Sequence, residues 1–61
     1  MKLMFIGEDG SMGLERFKKY DCRISADIDS NWIWVAAYTG KLVCRCPYTS
    51  IRKLLENWIE I

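Results

Sequence analysis

The most reactive side chains in this 61-residue chain are three cysteines, Cys22, Cys44 and Cys46, and the chain contains no histidine. A tetrahedral zinc site takes four nitrogen or sulfur ligands, and one chain offers three, so no metal centre is expected. Cys44 and Cys46 stand two apart. On a strand that spacing sets their Cα atoms about 6.6 to 6.8 Å apart with parallel side chains, a poor geometry for a disulfide. Reduced cysteines acting as small buried hydrophobes are expected instead. Without histidine, Cys-His and Ser-His nucleophile pairs are excluded. The carboxylates that could serve as acid and base, Glu8, Asp9 and Asp29, lie among turn-forming residues. The chain therefore reads as non-enzymatic, with no catalytic residue and no cofactor.

Binding chemistry is better represented. In "WIWVAAY", residues 32–38, an extended backbone puts Trp32, Trp34, Ala36 and Tyr38 on one side and Ile33, Val35 and Ala37 on the other. Flat aromatics near Arg23 and Arg45 suit recognition of a peptide, a Pro-rich segment or stacked bases. Trp32, Trp34, Tyr38, Arg23 and Arg45 are thus the candidate partner-binding residues.

The elements that must position them follow from patterning. "KLMFI" predicts a strand over about 2–6, and "GEDGSMG" after it is turn chemistry rather than a phosphate cradle, with acidic residues where phosphate would approach. Strict alternation predicts a strand over about 20–28, with Tyr20, Cys22, Ile24, Ala26 and Ile28 on the core side. "DSN" makes a turn into the strand at 32–38. Thr39-Gly40 then turns the chain into a strand over about 41–46, with Leu42, Cys44 and Cys46 inward, and Pro47 is expected to end it by removing a ladder donor. Ile51, Leu54, Leu55 and Trp58 recur at helical spacing, which predicts an amphipathic helix over about 50–59 capped by Thr49 or Ser50.

The hairpin register decides what the tryptophans do. A two-residue loop at Thr39-Gly40 pairs Ile33 with Cys46 and Val35 with Cys44, leaving Trp34 outside near Arg45 as a cation–π pair. A three-residue loop with Gly40 left-handed turns both tryptophans inward. Threonine disfavours the positive φ of the tighter turn, which favours the looser loop and an aromatic core; an exposed aromatic strip is the alternative.

Four strands and a helix in so short a chain predict a single domain, mainly β. A small Src-homology-3-like barrel, or a strongly curled antiparallel sheet with one C-terminal α-helix, is expected. The formal net charge is +1, and no block of like charge stands out, so nucleic acid is the secondary expectation for a partner. No apolar run approaches the ~18 residues of a membrane span, so no membrane association is expected. "MKLMFIGEDG" turns acidic too early for a secretion leader, which makes the cytoplasm the expected location.

Both ends also carry distinctive wording. "MKLMFIGEDGSMGL" and "CPYTSIRKLLENW" resemble short uncharacterised proteins of phages and prophages of Gram-positive (Firmicutes) bacteria. That family has a "DGSMGL" turn, an aromatic strand, and a "CPYSS" corner leading to a helix with "ENW". The resemblance implies a small barrel and an accessory role in the host cytoplasm, and it transfers no functional residue. The expected function is a protein-interaction module acting on a bacterial host protein. The alternative is a nucleic-acid-binding module that uses the aromatic strand and nearby basic residues. A homodimer formed through Ile33, Val35 and the helix is the third expectation.

Overall fold

Alternating apolar and polar side chains build the centre of the molecule as a sheet. The computed structural model describes residues 1–61. Its strands are β1 (Lys2–Phe5), β2 (Lys19–Asp27), β3 (Trp32–Tyr38), β4 (Leu42–Tyr48) and β5 (Trp58–Glu60), with the short helix α1 (Ile51–Leu55) before the last. All pairings are antiparallel, and the order is β4-β3-β2-β1-β5. The outer strands β4 and β5 do not pair, so the sheet is not closed into a barrel.

The core lies on one face of the sheet. Leu3, Phe5, Tyr20, Cys22, Val35, Ala37, Cys46 and Trp58 come from the strands, Leu14 from the β1–β2 loop and Leu54 from α1. Trp58 is the centrepiece. Its ring is edge-on to Phe5 at 5.1 Å and to Tyr20 at 6.1 Å, and its Nε1 donates to the Tyr48 hydroxyl at 2.8 Å. Leaving β1, the chain passes so close to the C-terminal segment that a Cβ on Gly7 would collide with Asn57 Oδ1 and lie 2.7 Å from the Phe5 ring.

The predicted helix over 50–59 is corrected to a single five-residue turn followed by a strand. Ser50 caps α1 as expected, accepting from the Lys53 amide at 3.2 Å. Asn57 then closes the turn: its amide donates to the Leu54 carbonyl and its side chain to the Lys53 carbonyl, each at 3.0 Å. The next residues serve β1, whose second edge would otherwise be unpaired. Phe5 lies opposite Trp58, Met4 opposite Ile59 and Leu3 opposite Glu60. Leu54 and Trp58 are buried as the helical stripe requires, but Ile51 and Leu55 are exposed. With so short a cover, the far end of the inner face stays open, and Ile24, Ala26 and Ile28, expected in the core, are exposed.

Pro47 does not end β4, which runs on to Tyr48. The strand tolerates it because β4 is at the sheet edge, where a missing donor on the solvent side breaks no ladder bond. Val35 is fully buried and Ile33 half-buried, so the apolar side of β3 packs into the core.

Candidate recognition surface

Two local departures from a regular hairpin decide which side of β3 faces out. Gly40 is left-handed at φ 85°, and the Thr39 amide bonds to the Lys41 carbonyl at 3.0 Å. Tyr38 lies opposite Leu42, so the loop is the three-residue one, Thr39–Lys41. One residue further, Ala37 lies opposite Cys44, which leaves Val43 as an unpaired bulge. A three-residue loop by itself turns the tryptophans inward. The bulge inserts one more residue and turns them back, since each single-residue shift exchanges the two faces. The expected loop is therefore present, and the expected aromatic core is not. Leu42, expected inward, stands on the outer side for the same reason and is half-exposed.

Inward go Val35 opposite Cys46 and Ala37 opposite Cys44. Outward, the three strands form rows across the sheet: Asp27 with Trp32, then Ser25, Trp34 and Pro47, then Arg23, Ala36 and Arg45, then Asp21, Tyr38 and Leu42. All five candidate residues, Trp32, Trp34, Tyr38, Arg23 and Arg45, thus share one face. Ala36, Pro47 and Leu42 complete it and are not among the residues singled out from the sequence. Ala36 shares this side with Trp34 by alternation along the strand and Pro47 follows from the register; Leu42 follows from neither, because only the bulge brings it to this side.

The electrostatics of the face are specific. The Arg45 guanidinium lies over the Trp34 ring, 4.7 Å from its centroid, and that of Arg23 lies 5.9 Å from the Tyr38 ring. Neither arginine has a carboxylate partner, because the ion pairs of the molecule are Lys2–Asp21, Lys18–Glu15 and Lys53–Glu56. The lysine of the first pair neutralises Asp21 at 3.0 Å. The Asp27 carboxyl is held below the usual carboxylate range by hydrogen bonds from Ser30 and the Asp29 amide, so it stays ionised. Beside Tyr38 an open hollow of about 530 Å³ is lined by Met1, Asp21, Cys22, Arg23, Tyr38 and Gly40.

The thiols lie on the opposite, inner side. The Sγ atoms of Cys44 and Cys46 are 3.4 Å apart, and all three cysteines are free. Burial pushes Cys22 up to about 11, and burial together with the neighbouring Cys46 thiol pushes Cys44 up to about 12. Both are protonated at neutral pH, which makes them poor nucleophiles. No group of three or more cysteine or acidic side chains is placed to hold a metal ion.

No helix is long and apolar enough to cross a membrane. Compared with known proteins, the chain matches no family model, no curated protein and no solved structure.

Proposed function

We propose that this protein is a non-enzymatic protein-interaction module that receives its partner on the outer face of β2, β3 and β4. The observation that carries this is the assembly of Trp32, Trp34, Tyr38, Arg23 and Arg45 on one face, with both arginines free of any carboxylate. Tryptophan, tyrosine and arginine are the residue types that dominate binding energy at protein interfaces. Recognition by strand addition is disfavoured at β4, where the Val43 bulge and Pro47 interrupt the free edge. We further propose a phage- or prophage-type accessory protein acting on a bacterial host protein in the host cytoplasm, on the strength of the end motifs. For the fold we propose an opened variant of the Src-homology-3-like barrel. The order of strands, the long β1–β2 loop and the helical turn before the last strand support it.

A second reading, binding of single-stranded nucleic acid, draws on the alternate spacing of Trp32 and Trp34, which suits stacked bases. Asp27 on the same face opposes it. The test compares proteins retained from host lysate by the wild type and by Trp34→Ala, each checked for folding by circular dichroism. A partner retained by the wild type and lost by the variant is expected; identical lists would remove the face from the proposal. Binding to a mixed oligonucleotide pool at about 50 mM salt that collapses with added salt would favour the second reading.

A further inference from the structure

The charges on the outer face are arranged in order along the strands. Among the rows shared by β2, β3 and β4, that of Arg23, Ala36 and Arg45 is the one with a clear positive charge. On one side of it lies the row of Asp21, Tyr38 and Leu42, whose acid is neutralised by Lys2. On the other lies the uncharged row of Ser25, Trp34 and Pro47, and beyond that the negative Asp27 with Trp32. At the centre of the positive row Ala36 offers only a methyl group, while the guanidinium of Arg45 leans over Trp34 on one side of the row and that of Arg23 toward Tyr38 on the other, so a carboxylate above Ala36 lies between the two charges. Each guanidinium is held by an aromatic ring and keeps its N–H donors unspent. Guanidinium groups of this kind bind carboxylates through paired, charge-assisted hydrogen bonds.

Resting on the outer-face reading above, we infer that the bound segment is an extended peptide with one carboxylate side chain seated over Ala36 between Arg23 and Arg45, flanked by apolar or proline side chains. Successive rows of the sheet are about 6.8 Å apart, which is also the distance between alternate side chains of an extended peptide. The pattern that fits is apolar, any residue, acidic, any residue, apolar. One apolar side chain rests on Pro47 beside the stacked Trp34 and Arg45, the acid enters the arginine row, and the other apolar side chain reaches Leu42, Tyr38 and the hollow that Tyr38 lines. A nucleic-acid strand matches less well. It carries a phosphate at every nucleotide, whereas the rows shared by β2, β3 and β4 include one positive row and end in a negative one, and the next cation on this side of β2, Lys19, lies beyond Asp21 and opposite Met4 of β1.

The test is selection from a displayed library of random peptides about eight residues long against the wild type, Trp34→Ala and the double variant Arg23→Gln/Arg45→Gln, all confirmed folded. Peptides selected on the wild type are expected to carry one Asp or Glu with aromatic, aliphatic or proline residues two positions away on each side. For the best peptide, the arginine double variant should bind at least about tenfold more weakly, the range for losing a charged hydrogen bond. Replacing the peptide's acid with its amide should weaken binding to the wild type similarly and to the double variant no further. Winners without an acidic preference that are nonetheless lost on Trp34→Ala would overturn the carboxylate inference and leave the outer-face reading standing. Winners bound equally by Trp34→Ala, or no winners at all, would overturn both. Tighter binding of a short oligo-thymidine strand than of any selected peptide would replace the inference with the nucleic-acid reading.

Discussion

Trp58 and Trp34 sit on opposite faces of one sheet and differ in every physical respect that bears on their use. Trp58 is fully buried between Phe5 and Tyr20, and its indole N–H is satisfied by Tyr48. Trp34 is half-buried in the centre of β3, the Arg45 guanidinium lies over its ring, and its indole N–H meets no protein acceptor. An aromatic whose ring and polar tip are both satisfied within the chain is structural. One with a flat ring and a free donor facing solvent is available to a partner, and hot-spot residues are drawn from that class.

Replacing the two residues should separate stability from binding. Trp58→Ala removes the largest buried side chain and is expected to cost about 3–5 kcal/mol, comparable to what a domain this small has in total. Circular dichroism should show an unfolded or barely folded chain at room temperature; a cooperative melt close to that of the wild type would remove Trp58 from its central place. Gly7→Ala tests the same junction from the other side. The added methyl group meets Asn57 and the Phe5 ring, and a loss of about 1–3 kcal/mol is expected from denaturant melts.

The inner face should also respond to alkali. Cys22 and Cys44 are raised from 9.0 to about 11 and about 12, and Tyr48 from 10.0 to about 12, each first of all by burial. For groups raised in the folded state, the stabilisation is complete below the unfolded pKa and is lost as pH rises through the folded one. Stability should therefore be unaffected by these groups below about pH 9 and fall between pH 9 and 12. Urea midpoints taken across that range check it, and Cys44→Ala should flatten part of the slope. Least affected in stability should be Trp34→Ala, at about 1 kcal/mol including the lost cation–π contact, although it is the variant expected to abolish partner binding. A stability loss as large as that of Trp58→Ala would mean that Trp34 belongs to the core.

Much of this contrast is legible in the chain before any coordinates. Period-two alternation in residues 20–28 marks the first of the two central strands, because a half-wet strand leaves that trace in composition, and the aromatic and β-branched run at 32–38 marks the second. Side-chain chemistry narrows the helix cap to Thr49 or Ser50, and the fold assigns it to Ser50. Trp58 was harder. Its spacing from Leu54 and Leu55 suits a helix, and being buried satisfies a helical stripe and a strand equally, so only the need of β1 for a second neighbour distinguishes them. The register of the β3–β4 hairpin was not legible, because Val43 resembles any other strand residue and nothing local announces a bulge there. That one residue decides whether the aromatic strip is core or surface. Residue types thus pick out five side chains that share one face, while the exposure of that face depends on a pairing detail that only the fold supplies.

The central claim is that Trp32 and Trp34 face outward while Trp58 is sealed, and fluorescence quenching by acrylamide tests it directly. Two variants suffice: Trp58→Phe, which leaves the outer pair, and Trp32→Phe/Trp34→Phe, which leaves Trp58, both first shown to unfold cooperatively. The outer pair should emit at long wavelength and quench steeply, and Trp58 should emit at short wavelength and resist quenching. Equal quenching of the two variants, or the reverse order, would contradict the outward register and with it the recognition face.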